Sequence, residues 1–327
     1  MQPKILVTGG AGYIGSHTCK ALSRAGYHPV VLDNLSTGHE WAVKWGPLEV
    51  GDLRDAGQVS EIIARHAPVA VMHFAGSIEA GESVADPAKY YDNNVGGAIG
   101  LLTALKKSSC QKIVFSSTCA TYGAPKTQPI DENTTQNPIN PYGETKLMVE
   151  TMLRDHAAAY GTRAIILRYF NACGADPEGE TGEAHDPESH LIPRALMAVT
   201  DEIQHLDLLG TDYPTPDGTA IRDYIHVSDL ADGHIAALTR LAGGGASGAF
   251  NLGTGTGRSV REVIDAVERV TGRTVPVKLS PRRPGDMPEL VANADLARRE
   301  LSFEPKMTNL DAVIKTAWEW YRKRPTQ

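Results

Sequence analysis

Little in this chain points toward a membrane, a nucleic acid or an oxidising compartment. Cysteine is scarce: Cys19, Cys110, Cys119 and Cys173 are the only four in 327 residues, and no two form a C-x-x-C pair. A disulfide scaffold or a thiolate zinc site needs denser or paired cysteines, so these read as reduced thiols and no metal is expected. No apolar run approaches the roughly 20 residues of a membrane span. The Ile5-Leu6-Val7 run near the N-terminus is too short for a signal-peptide core. Basic residues are not in excess: Lys and Arg number 32 against 39 Asp and Glu, a net charge of −7. That balance leaves no footprint for nucleic acid, and an anionic substrate must be met by local arginines and backbone amides. A cytoplasmic enzyme or binding protein is expected, with no nucleic-acid or membrane partner.

What is present is an ordinary globular balance, 41% hydrophobic and 22% charged, enough for a sizeable core and one to three domains. The first half alternates β-rich runs with helical patterns. Ile5–Thr8, Val30–Asp33, Val69–Phe74, Lys112–Ser116 and Ala164–Arg168 read as strands. Between the first two, Ile14, His17, Thr18, Ala21, Leu22 and Ala25 share a helix face, with Gly26 as the stop. This is the signature of an α/β protein with a Rossmann-type doubly wound parallel sheet. After about residue 172 the pattern loosens. Gly174–Ser189 is polar and loop-like; Ala249–Gly253 reads as a strand. A helix is expected from Ser259, where Ser259 and Glu262 match a capping box. No repeat of 20–50 residues is evident. We expect a cofactor domain over 1–172 and a smaller mixed α/β substrate domain over 173–327, with segments around 220–255 interleaving with the first.

Gly9, Gly12 and Gly15 form a G-x-x-G-x-x-G turn between the first strand and the first helix. Gly9 permits the tight turn, Gly12 lets backbone approach a pyrophosphate, and Gly15 lets helix and strand pack closely while the helix N-terminus faces negative charge. Asp33 closes the second strand about twenty residues on, where a carboxylate accepts both ribose hydroxyls and repels a 2′-phosphate. No arginine follows it directly. The cofactor expected is NAD.

Tyr142 and Lys146 form a Y-x-x-x-K pair, with Asn140-Pro141 marking a helix start. Spacing of four places both on one helix face. An ammonium near a phenol favours the phenolate, which can take a hydroxyl proton as a hydride leaves. Phe115-Ser116-Ser117-Thr118 ends the strand before this helix, so its hydroxyls point toward the ligand crevice beyond the carboxyl ends of the strands.

Glycine turn, Asp33, strand-end hydroxyls and Y-x-x-x-K, in that order, resemble the extended short-chain dehydrogenase/reductase family over essentially the whole chain. The segments GGAGYIGSH (9–17), HFAG (73–76), GESV (81–84), YYDNNV (90–95), PYGETK (141–146), LRYFNACGA (167–175), TDYPTPDGTAIRDYIHVSDLADGH (211–234), NLGTG (251–255) and PRRPGD (281–286) narrow the likeness to its 4-epimerases of UDP-hexoses. The resemblance implies reversible 4-epimerisation of UDP-glucose and UDP-galactose through a transient 4-keto sugar, with NAD held throughout, and a homodimer pairing helices near 87–106 and 141–160. It implies that Tyr142 is the base, that Lys146 holds the nicotinamide ribose, and that Thr118 bonds the same sugar hydroxyl. Tyr13, Ile14, Asn34, Asp52, Leu53, Phe74, Ala75, Asn93 and Phe170 match cofactor contacts. Asn171, His190, Leu191, Arg222, Arg283, Asp286 and Leu290 match substrate contacts, the arginines meeting phosphate and Asp286 the uridine ribose.

Three positions depart from the commonest epimerase pattern. Ile78 stands where a lysine often follows HFAG, and His190 stands where an asparagine often touches the substrate phosphates. Leu290 sits where side-chain size limits the sugar 2-substituent, and leucine is intermediate. N-acetylhexosamine and pentose substrates therefore stay open. Related 4,6-dehydratases carry Asp-Glu directly after the strand-end threonine, where this chain has Cys119-Ala120. A dehydrogenase releasing NADH and a non-catalytic NAD-binding regulator are the remaining alternatives. The second is disfavoured because Tyr142 and Lys146 are both intact.

Overall fold

The computed structural model describes residues 2–283 and 285–325; Pro284, inside the PRRPGD segment, lies outside the described residues, as do the two C-terminal positions. The strands run in chain order as β1 (Lys4–Thr8), β2 (His28–Asp33), β3 (Leu48–Val50), β4 (Ala70–His73), β5 (Lys112–Thr118), β6 (Arg163–Tyr169), β7 (Asn171–Cys173), β8 (Leu206–Leu209), β9 (Ile221–His226), β10 (Gly248–Leu252), β11 (Gly257–Ser259), β12 (Val277–Ser280) and β13 (Glu289–Leu290). Among the described residues, seven of these join one sheet in the order β10-β6-β5-β4-β1-β2-β3, and every neighbouring pair is parallel. The chain winds outward from β1 to β3, then returns to β4 and winds the other way. The crevice at that reversal, between β1 and β4, is where doubly wound sheets take their ligands.

Helices cover both faces. They are α1 (Tyr13–Arg24), α2 (Ala56–His66), α3 (Ala80–Ala85), α4 (Pro87–Tyr90), α5 (Gly97–Lys106), α6 (Pro141–Tyr160), α7 (Leu191–Val199), α8 (Val227–Ala242), α9 (Val260–Thr271), α10 (Asp295–Leu301) and α11 (Leu310–Tyr321), with a wider π turn over Tyr91–Gly96 leading into α5. Alternation along the strands sorts the core into two layers. Ile5, Val7, Met72, Val114, Ile165 and Leu167 face Leu22 of α1 and Leu230, Leu238 and Leu241 of α8. Leu6, Val71, Ile113, Phe115 and Ile166 face Val59 and Ile62 of α2, Leu101 and Leu105 of α5, and Val149 and Leu153 of α6. Burial on both faces explains why these strands read as nearly continuous apolar runs.

A third core lies under the later part of the chain. Ile192 and Leu196 of α7, Val263 and Val267 of α9 and Ile314 of α11 pack with Leu206 and Leu208 of β8. There β12 pairs with β8, and β11, β9, β13 and β7 form a small sheet.

Second-half strands other than β10 are two to six residues long, and β9 reads IRDYIH, so alternation is too brief or too polar to signal them. The second strand begins at His28, two residues before the Val30 expected from sequence. Pro29 lacks an N–H, but β3 first pairs with β2 at Val31, so the missing donor faces beyond the end of that neighbour. The helix expected to reach Ala25 ends at Arg24, with Ala25 as its cap. The capping box at Ser259 is formed: the Ser259 hydroxyl accepts from Glu262 N, and the Glu262 carboxylate accepts from Ser259 N at 2.7 Å.

Candidate active site

The glycine turn is built by close approach. A Cβ on Gly9, whose φ is +72°, would lie 2.5 Å from the Ala75 nitrogen, and one on Gly15 would lie 2.2 Å from the Gly9 carbonyl oxygen. A Cβ on Gly12 would meet only that same oxygen, at 3.3 Å, leaving its side of the turn open. Gly12 caps α1 without a side-chain hydrogen bond, and the first turn holds no acidic residue. Its amides and the positive end of the helix dipole are therefore available to an anion. Asp33, 8% exposed, accepts from Ala11 N at 3.0 Å and from Leu35 N at 2.9 Å. Burial pushes its carboxyl up, and those two amides pull it back toward ionisation.

Other expected cofactor residues surround this turn unevenly. Phe74 and Ile14 pack on one core layer and Leu53 and Ala75 on the other. Asn34 donates to Asp52 at 3.3 Å, and Arg54 pairs with Asp52 and holds its carboxyl well below the usual range. The Tyr13 hydroxyl donates to the Gly174 carbonyl at 2.6 Å, so its side chain reaches across to the second half of the molecule. Asn93 donates to Ser77 Oγ at 3.0 Å. The neighbouring Asn94, which the sequence reading passed over, is the buried one. It accepts from Ser77 N at 2.7 Å and donates to Thr145 Oγ1 at 3.0 Å, tying the loop after β4 to α6.

Helix α6 begins as its sequence suggests: Asn140 Oδ1 accepts from Gly143 N at 2.8 Å, and Pro141 occupies the first turn. A Cβ on Gly143 would stand 2.6 Å from the Ala120 carbonyl oxygen; glycine thus lets the helix start seat against the residues leaving β5. That contact sets Tyr142 and Lys146 beside Thr118. Lys146 is 4% exposed. It donates to the Ser116 carbonyl at 3.0 Å, and its Nζ lies 6.0 Å from the centre of the Tyr142 ring. Desolvation brings its ammonium down to about 8.

The Tyr142 phenol corrects the sequence expectation. Burial pushes it above its ordinary value, the nearby Tyr169 adds to this, and the Thr118 hydroxyl works in the opposite direction. The ammonium at this distance does not reverse the desolvation, so the protein by itself holds Tyr142 as the neutral phenol. Burial likewise raises the Cys119 thiol to about 12, which makes it an inert neighbour and not a proton donor near neutrality.

Under these residues lies a buried network that sequence reasoning missed. Arg168, 4% exposed, makes a two-pronged contact with the fully buried Glu150, at 3.0 and 2.7 Å. Ser117, next to Thr118, donates to Glu150 at 2.6 Å. Arg168 also donates to the Tyr122 hydroxyl, which donates to Asn251 of β10 at 2.7 Å. Glu150 follows Lys146 by four residues on α6, and that spacing was the one available signal.

Among the expected substrate residues, Arg222 and Arg283 converge on Asp286: Arg222 by a direct ion pair, Arg283 at 3.7 Å. Asn171 is exposed on β7, and Leu191 opens α7. Leu290 pairs opposite Arg222 in the small sheet and packs with Phe170, Tyr122 and Cys119. It is half-buried there. Ile78 is exposed. His190, expected at the substrate phosphates, has carboxylates around it. Its Nδ1 lies 2.9 Å from Glu188 and 3.0 Å from Glu183, with Glu79 3.9 Å from Nε2. Burial would lower the imidazole, but Glu183 and Glu188 hold it protonated, well above its ordinary value.

Residues 5–253 match the model of the NAD dependent epimerase/dehydratase family. The UDP-glucose 4-epimerase of Rhizobium meliloti (strain 1021) is 54% identical over 320 residues, covering 98% of this chain and 97% of that protein. The crystal structure of UDP-glucose 4-epimerase from Brucella ovis in complex with NAD is 55% identical with a TM-score of 0.96, covering 98% of both chains. A Stenotrophomonas maltophila UDP-glucose-4-epimerase with bound NAD and formylated UDP-arabinopyranose is 38% identical with a TM-score of 0.95, again over 98% of both. With family model, full-length relatives and superposable folds in agreement, the chain belongs to the NAD dependent epimerase/dehydratase family.

Proposed function

We propose that this protein interconverts UDP-glucose and UDP-galactose by 4-epimerisation, holding NAD throughout the cycle. The observation that carries the reading is the grouping of Tyr142, Lys146 and Thr118 at the β5 exit, with the apolar Ala120 where a dehydratase places an acid. The open glycine turn, the uncapped α1 and Asp33 suit a dinucleotide. When bound, NAD would supply a reversible hydride acceptor for the sugar C4, the chemistry that passage through a 4-keto sugar requires. With the positive charge of a bound nicotinamide added to that of Lys146, Tyr142 would be drawn to the phenolate; in that form it would take and return the 4-hydroxyl proton, and Thr118 would orient that hydroxyl. Lys146 supplies positive charge from a dry position, where it is felt more strongly than in water. Arg222 and Arg283 meet the diphosphate, and Asp286 exchanges its arginine partners for the uridine ribose. With anchoring concentrated on the nucleotide, the hexose is left free to turn.

The cofactor half spans residues 1–172 and the substrate half 173–327, with the 220–255 region serving both. Support comes from β10, which pairs with β6 in the main sheet, and from α8, which packs on that sheet's face. We read the assembly as a homodimer through α5 and α6, where Ile99 and Met148 are exposed, and the location as cytoplasmic; among the described residues no helix is long and apolar enough to cross a membrane. The test is to incubate purified protein with UDP-galactose and no added reductant. UDP-glucose should form without net NADH. Stoichiometric NADH with no epimer would overturn the reading.

A further inference from the structure

We propose that Glu183, His185, Glu188 and His190 form a site for one divalent cation of the zinc class, each supplying one ligand atom. The four ligand atoms lie within 4.8 Å of one another. His190 Nδ1 stands 3.0 Å from Glu183 Oε1 and 2.9 Å from Glu188 Oε1. His185 Nδ1 stands 3.2 Å from Glu183 Oε1 and 3.7 Å from Glu188 Oε2. Two imidazoles and two carboxylates thus gather their donor atoms in one small volume, and imidazole with carboxylate is a donor set that suits zinc and its neighbours in the first transition row.

A separate observation points to a missing occupant. His185 Nδ1 is buried and makes no hydrogen bond within the described residues, although two carboxylates lie within 4 Å. A buried ring nitrogen without a hydrogen bond has a lone pair free for an ion in the neutral imidazole. The Glu183 and Glu188 side chains are only 9% and 7% exposed. No lysine or arginine forms an ion pair with either among the described residues.

The molecule contains its own contrast. A second acidic cluster, Asp176, Glu178 and Glu180, surrounds the Lys20 ammonium at 2.6, 3.0 and 2.5 Å. There a lysine fills the cluster; around Glu183 neither a lysine nor an arginine does among the described residues. Glu79 lies 3.9 Å from His190 Nε2, placed as the outer carboxylate that orients a metal-binding imidazole through its other nitrogen. Four protein ligands describe a closed structural site, not an open catalytic one. Such a site fastens the loop across Tyr13, whose ring meets His185 edge-on at 6.2 Å, and so joins the glycine turn to the start of α7.

The test uses the full chain, stripped by dialysis against chelator and then loaded with zinc sulfate or cobalt chloride. After gel filtration, elemental analysis should find one zinc per chain. Calorimetric affinity should fall at least a hundredfold in His185→Ala and in Glu183→Gln. The cobalt form should show d–d bands without a thiolate charge-transfer band, which separates this site from the four cysteines. Glu178→Gln, in the lysine-filled cluster, should bind zinc as the parent does. If circular dichroism shows that His185→Ala does not fold, Glu188→Gln takes its place. Retention of no metal, undiminished retention in the folded variants, or a thiolate band would each overturn the proposal. The histidines would then be ordinary cationic partners of the two glutamates.

Discussion

The two sides of the candidate site are held by different forces. On the cofactor side, the functional groups stand at the ends of β1, β2 and β5, strands with apolar cores on both faces, and glycines set their spacing by backbone contact. On the substrate side, the groups stand on short strands and loops and are held by charge, as in Arg222 and Arg283 on Asp286 and the histidine–glutamate loop. Position set by packing is indifferent to salt and ligand; position set by charge is open to exchange when another anion arrives. The contrast suits a molecule that keeps one ligand and turns over another.

The largest effect should come from the packed side. Tyr142→Phe removes the proton acceptor while leaving the ring buried, and should lower turnover by about 10²- to 10⁴-fold with UDP affinity preserved, as stopped-flow kinetics and calorimetry would read. Next, Arg168→Met leaves the buried Glu150 with hydrogen bonds from Ser117 and Gln136 and only the exposed Arg154, at 3.6 Å, as a cation, and should cost roughly 3 kcal/mol in urea unfolding. A cost near zero would mean that packing alone positions Ser117 and Thr118. On the charged side, Arg222→Met should weaken UDP binding by about 1.5–3 kcal/mol, roughly ten- to a hundredfold, and cost less in urea unfolding than Arg168→Met, because its pair with Asp286 is less deeply buried. Equal loss of stability would erase the distinction between the two sides.

The smallest effect concerns acid. Burial lowers His17, His226 and His234 to about 4 and His73 to about 3. An unfolded chain takes up protons at these histidines from its ordinary value of about 6.5 downward, whereas the folded chain resists until near 4. Their contribution is therefore complete above that ordinary value and is lost as pH falls toward 4. Replacing His73 by Gln should recover roughly 1 kcal/mol of the acid loss near pH 5.5, seen as a shallower fall of melting temperature with pH than in the parent.

The same divide governs what could be read from sequence. The glycine turn, Asp33, the α6 start and the first-half strands other than the three-residue β3 announce themselves because each depends on local chemistry or on apolar periodicity. Of the second-half strands only β10 is legible; the others are too short or, like β9 with its IRDYIH, too polar to show alternation. Glu150 and Arg168 form their pair across 18 positions of sequence, and nothing local marks either as buried. Phenol desolvation at Tyr142 depends on which rings enclose it, among them Tyr90 at 6.5 Å and Tyr169. His190 is similar: its spacing suggested a ligand contact, but the carboxylates that engage it come from one loop turn and from Glu79, far upstream.

The edge strand β10 has a consequence for how the chain is made. It completes the main sheet beside β6, yet it is translated after β7, β8, β9 and α8. Until then, a nascent chain emerging from the ribosome presents β6 with one row of backbone donors and acceptors unpaired, an invitation to pairing with other chains. The cofactor half therefore cannot close before most of the substrate half has been synthesised. Gene fusions or truncations cut near residue 172 divide the sequence at a point where the fold itself is not divided.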